Sequence, residues 1–141
     1  MIRDSEQRPH QRLDVWRDGM ALVEAIYRLS EGFPESERFG LAHQMRRSAV
    51  SVPSNITEGA ARRSRQEYLR FLSIARGSLA ELDTQMELAI RLGFRQRSDA
   101  PLELLNRCFA RLNALIRSID ASAPTRTSPR ATPHESLIPN P

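Results

Sequence analysis

Apolar residues recur along most of this chain at steps of three and four, the spacing that lays a stripe along one face of an α-helix. The first such segment runs from about Leu13 to Ser30 and carries Leu13, Trp16, Met20, Val23 and Tyr27 on its stripe. Gly32-Phe33-Pro34 stops it, because glycine suits a helix C-terminus and proline discourages continuation. The second begins near Ser36, read as its N-cap with Glu37 in the first turn. Its stripe is Leu41, Met45, Ala49, Val52 and Ile56, and it closes near Gly59-Ala60.

The third segment opens on Ser64-Arg65-Gln66-Glu67, a capping box in which the serine and glutamate each satisfy an orphan amide of the first turn. Tyr68, Leu72, Ala75, Leu79, Leu82, Met86 and Ala89 then follow without a break, and Gly93 is the stop. At about 29 residues this helix measures about 43 Å. It is expected to protrude beyond shorter partners or to pack on another subunit. The fourth follows Ser98-Asp99, tolerates Pro101 in its first turn, and carries Leu102, Leu105, Phe109, Leu112, Ile116 and Ile119. No strand-type alternation of useful length interrupts them. Four amphipathic segments with short connections predict an all-α, antiparallel up-down four-helix bundle over residues 13–120.

Residues 1–12 are polar and read as a flexible N-terminal tail. Residues 121–141 hold five of the nine prolines among serines and threonines. Proline lacks an amide donor and fixes φ, so this stretch reads as a disordered tail. Pro53, inside the second segment, is the awkward residue. Either the helix kinks and continues, with the hydroxyls of Ser48 and Ser51 helping to satisfy freed carbonyls, or it ends at Val52 and restarts. The apolar phase persists through Pro53, which favours continuation.

A polar line runs beside the second stripe: Gln44, Ser48, Ser51, Asn55 and Glu58. Arg70, Gly77, Glu81 and Thr84 make a similar line on the third helix. These are either a solvated face or a hydrogen-bonded seam that fixes helix register or a subunit interface.

Charge changes the picture more than composition does. The chain has 141 residues, a net charge of +4, and arginine but no lysine. Residues 13–37 hold two arginines against six acids, a net of −4. Residues 38–76 hold eight arginines against Glu58 and Glu67, a net of +6. Arg62, Arg63 and Arg65 sit at the turn between the second and third helices, with Arg46 and Arg47 upstream and Arg70 downstream. A guanidinium offers a rigid fork of donors suited to phosphate. The competing reading is a solvated face in an arginine-rich composition.

Candidate catalytic chemistry is sparse. Without lysine there is no P-loop lysine, Schiff-base lysine or Ser-Lys dyad. Single Cys108 closes no intramolecular disulfide and builds no cysteine-rich zinc site, and it reads as a buried structural thiol. Di-iron bundles use Glu-x-x-His pairs, but Gln7, Gly40 and Ala131 stand three residues before His10, His43 and His134. No nucleophile elbow or glycine-rich phosphate loop is present. The expectation is a non-enzyme with no cofactor and no metal. The N-terminus lacks a signal-peptide pattern, and no apolar run is long enough to span a bilayer. A cytoplasmic location is therefore expected, and Asn55-Ile56-Thr57 is read as a chance sequon.

The middle of the chain also carries a recognisable set of motifs. They are Leu13-Asp14-Val15-Trp16, Phe33-Pro34, and the run Gln44-Met45-Arg46-Arg47-Ser48-Ala49-Val50-Ser51-Val52-Pro53-Ser54-Asn55-Ile56, then Glu58-Gly59. Further on come Tyr68-Leu69-Arg70-Phe71-Leu72, Gly77-Ser78-Leu79 and Glu81-Leu82. Over residues 13–119 this resembles the four-helix-bundle proteins encoded within intervening sequences of bacterial large-subunit ribosomal RNA genes. Thr57 departs from the small apolar residue expected there. The resemblance implies a left-handed up-down bundle, homopentamers and no known enzymatic activity. It also implies similarity to basic accessory proteins of diversity-generating retroelements, which are thought to bind nucleic acid and a reverse transcriptase. Two functions are carried forward. One is RNA or DNA binding through Arg46, Arg47, Arg62, Arg63, Arg65 and Arg70. The other is a structural or protein-interaction module whose arginines pair across subunits.

Overall fold

The computed structural model describes residues 7–97 and 99–121, and only the backbone of Gln11, Arg12 and Asp99. Of the tail read at 121–141 only Ala121 is described, as the end of the last helix; residues 122–141, the first six residues and Ser98 lie outside the described residues. Four α-helices are present among the described residues, with no strand: α1 (Asp14–Glu31), α2 (Leu41–Ala60), α3 (Arg65–Arg91) and α4 (Asp99–Ala121). Pro9–Arg12, within the segment expected to be tail, form a 3-10 turn in contact with α1 and α2. The His10 ring meets Trp16 edge-on.

Contacts join α1 to α2 and α4, and α3 to α2 and α4, with none across the diagonals among the described residues. The core between them is built from Leu22 and Ile26 on α1, Met45, Val52 and Ile56 on α2, Leu72, Leu79 and Leu82 on α3, and Leu105, Cys108 and Leu112 on α4.

The third helix follows its sequence closely. Ser64 Oγ accepts from the Glu67 amide at 3.0 Å, so the N-cap forms as the motif requires. Every predicted stripe position from Leu72 to Ala89 is buried, and Tyr68 is half-buried. At the other end the Phe94 amide reaches the Ala89 carbonyl and the Gly93 amide reaches that of Ile90. This double closure needs a left-handed residue, and Gly93 supplies it at φ 76°.

The second helix starts later than expected. Glu35–Glu37 form a 3-10 turn instead of a first α-turn, and α2 begins at Leu41. Gly40, not Ser36, stands at the N-cap, and Glu37 Oε1 accepts from the Leu41 amide at 3.0 Å. The reason is the lack of a buried face before Leu41, since Phe39 is 83% exposed. Pro53 lies inside α2, which continues through it, and the ring is buried against Gly19 of α1. The hydroxyls of Ser48 and Ser51 do not turn back to the carbonyls as expected. Both reach across to α3, while Asn55 Nδ2 donates to the Ser51 carbonyl at 2.8 Å.

The first helix buries a face turned partly away from the expected stripe, of which Leu13, Trp16 and Val23 remain half-buried against the core. Met20 and Tyr27 are more than 40% exposed, and the buried positions are Val15, Asp18, Gly19, Leu22, Ile26 and Ser30. The expected stripe is unbroken by polar residues, whereas the buried one contains Asp18 and Gly19, and so reads as the weaker pattern. Each exception has a tertiary partner. Gly19 accommodates Pro53, and Asp18 receives two arginines from α4.

Candidate functional site

The six candidate arginines fall into two separate groups. Arg46 and Arg47 stand about 20 Å along α2 from the α2–α3 turn, at 1.5 Å per residue. Arg46 is half-buried and committed within the chain. Its Nε donates to Ser30 Oγ at 2.8 Å, its Nη2 donates to the Tyr27 carbonyl at 3.4 Å, and its guanidinium lies 4.6 Å from the centre of the Tyr27 ring. Arg47 is exposed. Tyr27, His43, Arg46, Arg47, Val50 and Ser51 line an open groove of about 480 Å³.

The second group surrounds the α2–α3 turn. Arg62 Nη2 pairs with Glu58 Oε2 at 2.9 Å, and Arg70 Nε pairs with Glu67 Oε2 at 3.5 Å. Both guanidiniums also approach Phe71, at 4.9 and 4.8 Å from the ring centre. Phe71 is half-buried and its root is fixed by a close helix approach: a Cβ on Gly59 would sit 3.1 Å from Phe71 Cβ and 3.2 Å from the Tyr68 carbonyl oxygen. Burial raises the Tyr68 phenol above its ordinary value. Arg63 and Arg65 are exposed, and no carboxylate among the described residues pairs with either.

The polar lines meet in part. Ser48 Oγ donates to Glu81 Oε2 at 3.5 Å, the hydroxyls of Ser51 and Ser78 lie 2.7 Å apart, and Asn55 Nδ2 donates to Ser51 Oγ at 2.9 Å. Ser48 and Ser78 are buried. This seam lies between α2 and α3 of one chain. Gln44 and Gly77 are exposed outside it, and Glu58 turns to Arg62.

Sequence reasoning missed three residues. Ser78 was within reach, one step along the third helix from Gly77. Phe71 was recognisable as an aromatic next to Arg70, but it borders the core stripe and reads as packing. Asp18 gave no local signal, because its partners are 89 and 93 residues away in the chain: Arg107 Nε at 3.3 Å and Arg111 Nη1 at 2.8 Å. Cys108 is buried beside this cluster, and burial, with Asp18 nearby, pushes its thiol up to about 12.

Among the described residues no group of three His, Cys, Asp or Glu side chains is placed to hold a metal ion, and no helix is long and apolar enough to cross a membrane. Fold and surface together define an all-α helical protein whose distinctive chemistry is surface arginine. The family model described as 23S rRNA-intervening sequence protein matches residues 11–116. The chain belongs to that family. It is also similar to a protein of unknown function from the S23 ribosomal protein family of Bacteroides thetaiotaomicron, known as a crystal structure. The two are 27% identical with a TM-score of 0.59, over 74% of this chain and 96% of that one. No curated protein matches the sequence.

Proposed function

We propose that the protein is a non-enzymatic, cytoplasmic RNA-binding module, an antiparallel up-down bundle that works as a homo-oligomer. The observation that carries the RNA reading is the pair Arg63 and Arg65, exposed at the α2–α3 turn with no carboxylate of the described residues answering their charge. Unanswered guanidiniums are the groups that release counterions when they meet phosphate. The names of the family and of its solved relative both refer to ribosomal components, which makes RNA the first polyanion to try.

The up-down arrangement is supported by opposed residue pairings. Ser30 meets Arg46 while Gly19 meets Pro53; Ser48 meets Glu81 while Gly59 meets Tyr68. Self-association, as a pentamer by the family resemblance, is supported by large apolar residues left on the surface, among them Met20, Tyr27, Val50, Ile74 and Leu88. Light scattering tests it, and a monomeric mass rules it out.

RNA binding is tested by anisotropy of a labelled structured RNA across a salt series. The affinity should fall steeply with salt, and Arg63→Ala with Arg65→Ala should lower the slope by about 1 for each phosphate contact removed. Absence of binding at low salt, or an unchanged slope, defeats the reading. The second reading, a protein-interaction module, draws on the open groove at Tyr27, His43 and Arg47. On that reading high salt dissociates the oligomer, and RNA leaves its mass unchanged.

A further inference from the structure

The four arginines at the α2–α3 turn divide into two kinds. Arg63 and Arg65 carry charge that nothing in the described residues answers. Arg62 and Arg70 have part of theirs answered by Glu58 and Glu67. The same two guanidiniums lie over the Phe71 ring, 4.9 and 4.8 Å from its centre. The ring itself is anchored at a close approach of α2 and α3, over Gly59. Yet the platform is reachable, since the Arg62 and Arg70 side chains remain 46% and 61% exposed.

A cluster of one aromatic ring with two guanidinium groups over it, bordered by two free cations, is poorly matched to duplex. In a duplex the base faces are already stacked on one another and only edges and phosphates are offered. It is well matched to unpaired nucleotides, whose base faces stack on aromatic rings and guanidinium planes while the backbone follows the positive charge. We infer that the α2–α3 turn is a site for unpaired nucleotides, with Phe71, Arg62 and Arg70 as the stacking platform and Arg63 and Arg65 as the phosphate contacts. This rests on the RNA reading above and specifies the form of RNA it takes.

Electrostatics alone gives the opposite preference, because duplex has the higher charge density and the steeper counterion release. A preference for single strand therefore reports on the platform and not on the net charge. The test uses the full chain and a labelled RNA of about 12 nucleotides without self-complementarity, within the usual range for single-strand sites, free and annealed to its complement. The single strand should bind about tenfold more tightly than the duplex, the equivalent of one stacked base.

Phe71→Leu should remove that preference, weakening single-strand binding more than duplex binding. Because Phe71 is half-buried, its variant is checked by thermal melting. Arg62→Lys provides a second variant at an exposed position, keeping the charge and losing the plane, and it should also reduce the preference. Arg63→Gln with Arg65→Gln should weaken both forms alike. Equal or weaker binding of the single strand, or a preference that survives both Phe71→Leu and Arg62→Lys, overturns the inference and leaves RNA binding standing. Displacement of the single strand by poly-glutamate at equal charge also overturns it, in favour of an acidic protein partner. If neither RNA form binds at low salt, the RNA reading falls and takes this inference with it.

Discussion

Removing the Asp18 carboxylate is the sharpest test of how α1 is held. Its side chain is 9% exposed, and it accepts from Arg111 at 2.8 Å and lies 3.3 Å from Arg107. Breaking a fully buried ion pair costs about 3–5 kcal/mol, because a charge is stranded. An exposed pair is worth about 0–1 kcal/mol. Asp18 belongs between these limits, since its partners are 54% and 46% exposed and can turn to water when it is gone. What Asp18→Ala loses is mainly one short charge-assisted hydrogen bond and a weaker one, so the expected cost is about 2 kcal/mol. Removing both arginines is the harsher change. It leaves the carboxylate buried without a partner, and the cost rises towards about 3–5 kcal/mol. Urea unfolding at fixed protein concentration reads both as shifts in midpoint at constant slope. A cost for Asp18→Ala below about 0.5 kcal/mol, the level of an ordinary surface substitution, would refute the account. So would a double arginine variant no worse than Asp18→Ala.

Three other outcomes follow from local geometry. Gly77→Ala should stabilise the chain by about 1 kcal/mol, because Gly77 sits mid-helix with nothing within 4 Å of a new Cβ; a raised melting temperature checks it. Gly59→Ala should destabilise: the added Cβ meets Tyr68 Cδ1 at 3.0 Å and the Tyr68 carbonyl oxygen at 3.2 Å, and overpacking of about 1–3 kcal/mol outweighs the helix-propensity gain of up to about 1. Cys108 holds its proton more tightly folded than unfolded, so its contribution is full below the ordinary thiol value of 9.0 and is lost as pH rises towards about 12. Urea midpoints should therefore fall over that window more steeply than in Cys108→Ala, and equal slopes would refute the assignment. Tyr68, also raised by burial, acts in the same sense in both proteins.

How much of this was legible in the sequence depended on whether the deciding contacts were local. The serine half of the capping box at Ser64 and the stripe from Leu72 to Ala89 involve neighbours one turn apart, and both are present as read, while the Glu67 carboxylate turns to Arg70. The pairs Glu58–Arg62 and Glu67–Arg70 have the spacing of helix neighbours and are equally local. The buried face of α1 was not legible, because what selects it lies elsewhere in the chain. Pro53 on α2 fits over Gly19, and Arg107 and Arg111 on α4 make Asp18 tolerable inside. In the local pattern a clean apolar line outranks one broken by aspartate and glycine, which points to Met20 and Tyr27. The α2 start was missed for a related reason. Ser36 has the chemistry of an N-cap, but no apolar face follows it to hold the turn.

The same distinction revises what the charge count means for function. The net of +6 over residues 38–76 treats eight arginines as equivalent. Arg38, Arg62 and Arg70 face carboxylates, Arg46 is tied to Ser30 and Tyr27, and Arg76 reaches Asn113. Arg47, Arg63 and Arg65 are what remain, and Arg47 lies far from the other two. On the proposed reading a single chain thus offers only about two free phosphate contacts at the turn, which sets a salt slope of about −1.4 on a single strand and a weak affinity. An oligomer changes that arithmetic without adding a contact, because a strand held at one turn meets the next at a high effective concentration. Arginines that are too few on one chain become sufficient when repeated around an assembly. On the RNA reading, self-association therefore strengthens binding, an argument independent of the family resemblance.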